Sequence, residues 1–217
     1  MNINQAPKGS GKQSPIPTAD THRAVLVQVI GLGLQEGGTW EGQKKPDKVK
    51  VRFTYELPDQ KAEFDGEEKP LIISEDLNFS AHEKSGMVAR LNVLDPGNET
   101  GGDLFKLLGR SCLVQVTHKP GKGKNAGRTF ANIGGVTSLP SIIPAIQADE
   151  IFNPLVAYDP DSPDEEIFKS LPQFLQDRIN GRLDAPANAV KKEAQDEQEQ
   201  DHDLPDGVMP NDVSGEW

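Results

Sequence analysis

The chain has 217 residues, 35% of them hydrophobic, with a mean hydropathy of −0.58 and a formal net charge of −11. A single cysteine, Cys112, excludes an internal disulfide framework and fits a reducing compartment. No stretch approaches the roughly 18 apolar residues of a membrane span, and the first twenty residues lack the apolar run of a signal peptide, so a soluble, cytoplasmic protein is expected.

The charge is unevenly spread. Residues 1–140 hold 18 Lys and Arg against 16 Asp and Glu; residues 141–217 hold 5 against 18, and 193–217 hold nine acids with no Lys or Arg. A near-neutral body with an anionic tail is the asymmetry of a polyanion-binding body or an interaction tail. The total charge is therefore no argument against nucleic acid.

Residues 1–21, rich in Pro, Gly, Ser, Asn and Gln, are expected to form a disordered tail. Over 22–35, Val25, Val27 and Val29 share one face at period two and predict a strand, with a bulge or sharp bend at Gly31 and Gly33. A loop over 37–46 carries Trp40, Lys44 and Lys45. From 47 to 57 the alternation is strict and predicts a second strand. Val49, Val51 and Phe53 are its better core candidates, which turns Lys50, Arg52 and Thr54 outward. A turn or hairpin extension follows at 58–70, and a third strand at 71–79.

Met87, Leu91 and Leu94 have helical spacing within 80–95, and 103–109 predicts a short helix that Gly109 stops. Residues 111–118 and 128–139 read as the fourth and fifth strands, joined by a basic, glycine-rich loop. At 162–165 a capping box, with Ser162 as N-cap, Pro163 at the first turn and Glu165 three residues on, opens a helix at about 163–180. Ile167, Phe168, Leu171, Phe174, Leu175 and Ile179 form its apolar stripe, and Pro172 must kink or split it. The stripe either closes the core or builds a homodimer contact. From 184 to 217 the chain is acidic without a periodic face, and a disordered interaction tail is expected.

Three strands, a helix, two strands and a C-terminal helix are the order of a mainly β, five-stranded OB-fold barrel, here spanning 22–183 with disordered termini. That barrel is a recurrent reader of single strands. Two of its loops are contact loops for oligonucleotides: the one after strand one and the one joining strands four and five. The second holds Lys119, Lys122, Lys124 and Arg128, a cationic arm suited to phosphates, although in isolation it would be an ordinary hairpin tip. Gly121 and Gly127 have phosphate-loop spacing, but a strand follows them, which excludes nucleotide hydrolysis. Trp40 beside Lys44 and Lys45 either stacks a base or packs over one end of the barrel. Lys50 and Arg52 form either the floor of a groove or a wet sheet face. Phe130 shares a face with Arg128 and is a better stacking candidate than Tyr55. No spacing supports a catalytic constellation, a zinc motif or a dinucleotide site, so neither an enzyme nor a cofactor is expected.

The blocks KVRFTYEL, SAHEKSG, LLGRSCLVQVTHK and RTFANIGGV, together with the tail EAQDEQEQDHDLPDGVMPNDVSGEW, resemble phage-encoded single-stranded DNA-binding proteins of the bacterial and T7 type. This chain departs from the bacterial type by ending on Trp217 with scattered acids. The resemblance implies single-stranded DNA as ligand and adds Lys84 of SAHEKSG to the DNA-binding set. It also implies that Asp206, Asp212, Glu216 and Trp217 dock replication and recombination proteins such as a polymerase, helicase-primase or nuclease. The tail would compete with DNA for the basic groove, in a bacterial host cytoplasm. The alternative is an adaptor that uses an OB-like barrel for protein contacts only.

Overall fold

A computed structural model describes residues 14–185 of the chain. Eight strands are present: β1 (Thr21–Gln35), β2 (Thr39–Trp40), β3 (Gln43–Lys44), β4 (Lys48–Phe64), β5 (Glu67–Asn78), β6 (Ser111–Pro120), β7 (Thr129–Thr137) and β8 (Val156–Tyr158). The fold is mainly β. Its main sheet has the order β5-β4-β1-β6-β7, every neighbour antiparallel, with the short β8 parallel to β1. The hairpin β2–β3 stands apart in the loop after β1. Among the described residues no hydrogen-bonded ladder joins the end strands β5 and β7, although their Cα atoms approach within 8 Å. The 58–70 stretch is a hairpin extension: β4 and β5 run on past the expected strand ends to a turn at Asp65 and Gly66.

The centre of the sheet is β1, and it is buried on both sides. Ala24, Leu26 and Val29 join Val51, Phe53, Tyr55 and Leu57 of β4 in the main core, under the helix α1 (Gly86–Leu94). Val25 and Val27 pack instead with Ile146, and Ile30 and Leu32 with Tyr158, Leu171, Leu175 and Ile179. A strictly alternating strand cannot place Leu26 and Val29 in one core. The register shifts between Leu26 and Gln28 and between Gly31 and Gly33 allow it. Strand β1 is thus apolar almost throughout because residues 141–185 form a second layer over the outer face of the sheet.

That layer crosses β1 where side chains are missing. A Cβ on Gly31 would lie 2.5 Å from Pro160 Cδ, and one on Gly33, which has φ +66°, would lie 2.5 Å from Arg182 Cδ. The two glycines therefore make the bend and let the C-terminal layer approach. The layer is also pinned by Glu56 on the outer face of β4, which is 0% exposed. Its carboxylate accepts from the Phe152 N–H (2.9 Å), the Asn153 N–H (2.7 Å) and the Asn153 side-chain amide (2.6 Å).

The single C-terminal helix expected at 163–180 is two: α2 (Glu165–Ser170) and α3 (Gln173–Asn180). Pro172 cannot donate to a continued helix, and it forces Leu171 before it into an extended conformation (ψ 148°). The N-cap of α2 is Asp164, whose side chain accepts from Glu166 and Ile167, not Ser162. The apolar stripe lies against β1, apart from Phe174, which stays half exposed.

Both termini are fixed further out than the tail boundaries at 21 and 184 assume. Pro17 is buried and its carbonyl accepts from His118, the Thr18 hydroxyl donates to Gln60, and the Asp184 carboxylate accepts from the Leu34 N–H. Residues 1–13 and 186–217, where the rest of the expected disorder falls, lie outside the described residues. No helix among the described residues is long and apolar enough to cross a membrane.

Polar groups hold α1 and the loop behind it. Arg90 donates two bonds to Glu75, at 2.7 and 2.8 Å, and the buried Tyr55 hydroxyl donates to the same carboxylate. Burial pushes the Cys112 thiol up to about 12, which leaves it unreactive. Asp95, at the C-terminus of α1, accepts from the N–H and hydroxyl of Thr100 and from the Glu99 N–H. The Thr100 and Glu99 bonds, with Arg110 nearby, hold its carboxyl below the ordinary carboxylate range. A depressed folded value means that its contribution is complete above the unfolded value of about 3.9 and is lost as pH falls through the folded one. Asp95→Asn should therefore flatten the acid limb of stability, read as urea midpoints between neutral pH and pH ~3. An unchanged acid limb would remove Asp95 from that role.

Candidate nucleic-acid interface

A cation held by a carboxylate is a poor phosphate ligand, because binding must first break an existing pair. Arg23, Arg52, Arg90, Arg110, Arg178 and Arg182 all face carboxylates, as do Lys44, Lys69, Lys106 and Lys169. Among the described residues Lys48, Lys50, Lys61, Lys84, Lys119, Lys122 and Arg128 have no ion-pair partner. Apart from Lys50 and Lys61, these fall at two places.

The first is the hairpin between β6 and β7. Lys119 pairs in register with Phe130, and the Gly121 N–H donates to the Arg128 carbonyl at 2.8 Å, closing the loop. Between them the chain makes a short 3-10 turn over Gly123–Asn125. A Cβ on Gly121 would meet the Asn125 carbonyl oxygen at 2.2 Å and Phe130 Cε2 at 2.9 Å, so only glycine lets the loop fold back against the ring. Phe130 is still 42% exposed, and Lys119, Lys122 and Arg128 are exposed around it.

The second lies at the far end of β4 and β5. The Phe79 N–H donates to the Val49 carbonyl at 2.8 Å just past the end of β5, and its ring is 60% exposed. With Lys48, Val49, His82 and Lys84 it lines a groove of about 660 Å³. The turn leading into α1 is rigid. Ser85 Oγ donates to the Ser80 carbonyl and accepts from the Val88 N–H, while the Lys84 N–H donates to His82 Nδ1 at 3.1 Å. That last bond leaves the neutral His82 ring with its proton on Nε2. Lys50 lines a neighbouring hollow that also contains Asp103, Asp159, Asp161 and Asp184, so it faces carboxylates across a gap.

The two places lie toward opposite ends of β1: Thr21 pairs with Gln115 near the hairpin, and Gln35 with Lys48 near the groove. The strand contour between them is roughly 45 Å at about 3.3 Å per residue.

Other candidates sit differently. Arg52 is bound to Asp76 at 2.8 Å, lies 5.5 Å over the Phe174 ring and shares Asp76 with Arg178, so on the expected cationic outer face of β4 this charge is already matched and lies against α3. Thr54 beside it is 2% exposed, and Val49, expected in the core, is 40% exposed. Tyr55 is a core residue. Lys44 lies 3.7 Å from Glu36, both side chains exposed, and the Lys45 N–H donates to the Gly38 carbonyl. The side chains of Trp40 and Lys124, and all of Asp206, Asp212, Glu216 and Trp217, lie outside what the structure describes.

Lys48, Phe79 and His82 were missed in the sequence. Phe79 continues the phase of Leu77 and so reads as core, but β5 ends at Asn78 and leaves the ring with no strand to cover it. The available signal was a pair of in-phase apolar residues, Val49 and Phe79, at the outermost register of two paired strands with lysines on either side.

Compared with protein-family models, curated proteins and solved structures, the chain matches none.

Proposed function

We propose that this protein binds single-stranded DNA without sequence preference, coating transient strands during phage replication and recombination. One observation carries the reading. In a chain of net charge −11, five of the seven described cations without an ion-pair partner gather at two places, each beside a solvent-facing phenyl ring. Unpaired cations next to an accessible π face are what sequence-tolerant single-strand binding uses: charge for the backbone, stacking for any base.

The strand order supports an OB-type barrel as the platform. Strand β1 pairs with both β4 and β6, α1 lies between β5 and β6 in the chain, and the approach of β5 to β7 is where such a barrel closes. On this reading the hairpin between β6 and β7 is the second contact loop of the fold. The acidic stretch at 193–217 takes the other half of the work and docks replication proteins.

A second reading, an adaptor for protein contacts, is favoured by Ile72 and Phe152, both about half exposed, the latter sharing a hollow with Glu68, Asp149 and Glu150. Titration of the full chain with fluorescent oligo(dT) separates the two. Saturable binding that weakens with salt supports the first reading; its absence at low salt leaves the adaptor.

A further inference from the structure

We infer that the groove between the ends of β4 and β5 and the start of α1 is a distinct subsite that seats one base of an unpaired strand on the ring of Phe79, with the flanking phosphates on Lys48 and Lys84. The inference rests on the single-strand reading above and adds a site to it, remote from the hairpin arm.

Three features point to a ligand in this groove. Among the described residues its lining contains no carboxylate. Three other hollows do: four aspartates in the one beside Lys50, which meets the groove at Val49 and Phe79, Asp161 and Glu165 in the one beside Tyr158, and Glu68, Asp149 and Glu150 in the one beside Phe152. In so acidic a chain, a concavity whose described charges are two lysines has a local sign opposite to that of the whole, and an anion is its natural occupant. Second, the ring of Phe79 is 60% exposed although its backbone is anchored to Val49, so a large apolar surface is held in water at a fixed position. Third, at about 660 Å³ the groove falls within the usual range of small-ligand clefts, roughly 300–1,000 Å³. Anionic and aromatic demands met in one cleft describe a nucleotide. The Nε2–H of His82 adds a donor for a base or sugar oxygen.

The test uses the full chain, oligo(dT) and three variants. Phe79→Ala should lower affinity about 10-fold, since one stacked base contributes about that much, and should leave the slope of log K against log salt unchanged. Lys48→Glu with Lys84→Glu should reduce the magnitude of that slope by about 1.4, at about 0.7 per contact. Phe79→Trp should keep the affinity, and its added emission should be quenched on titration. Unchanged thermal unfolding of Phe79→Ala, expected of an exposed ring, shows that a loss is local. If the wild type binds and Phe79→Ala matches it while Phe79→Trp is not quenched, the subsite is wrong and the single-strand reading stands. If the wild type itself does not bind, the broader reading fails first.

Discussion

Replacing Lys119, Lys122 and Arg128 together by alanine is expected to weaken oligo(dT) binding about 100-fold at ~0.1 M salt and to lower the magnitude of the salt slope by about 2. Each single-strand phosphate contact contributes about 0.7 to that slope, so three contribute about 2, and at a tenth molar each unit of slope is a factor of ten. The loss should be the same for every base composition, because these side chains meet the backbone. The three side chains are exposed and make no ion pair among the described residues, so the variant should unfold at the wild-type temperature. Affinity within about threefold of the wild type would take the hairpin out of the interface.

The second large effect concerns the layer over the sheet. Glu56→Ala should cost about 3 kcal/mol, because it strands two backbone N–H groups and one amide whose common acceptor is fully buried. Glu56→Gln keeps an acceptor and should cost clearly less. The damage should begin locally: hydrogen exchange at Phe152 and Asn153 should accelerate before that of β1, since Glu56 tethers only residues 152–153 directly. A urea midpoint equal to the wild type's would show that the layer does not depend on this carboxylate.

Much of the framework was legible in the sequence. Strict alternation at 49–57, the helical spacing of Met87, Leu91 and Leu94, and the basic loop between two β-branched runs each express a local rule, and the corresponding elements are present. What was not legible is what a second layer does to a face. Lys50, Arg52 and Thr54 alternate like a wet surface, yet Thr54 is buried, and Arg52 is spent on Asp76 beside α3, which returns from more than a hundred residues away. Phe79 shows the converse. It shares the phase of the buried Leu77, and the end of the strand at Asn78 exposes it. Periodicity reports which side a residue is on; it does not report what lies there or where the sheet stops. The glycines at 31 and 33 were read as a bend, and the bend is there. Their second role, admitting Pro160 and Arg182, depends on tertiary approach alone.

The central claim is that a few cations left free of carboxylates grip a bare strand in an otherwise acidic protein. Titration of the full chain with oligo(dT) at several salt concentrations tests it most directly. The five free cations of the hairpin and the groove predict tight binding at low salt and a slope of log K against log salt near −3.5, at about 0.7 each. Binding that ignores salt, or no binding at the lowest salt, would contradict it.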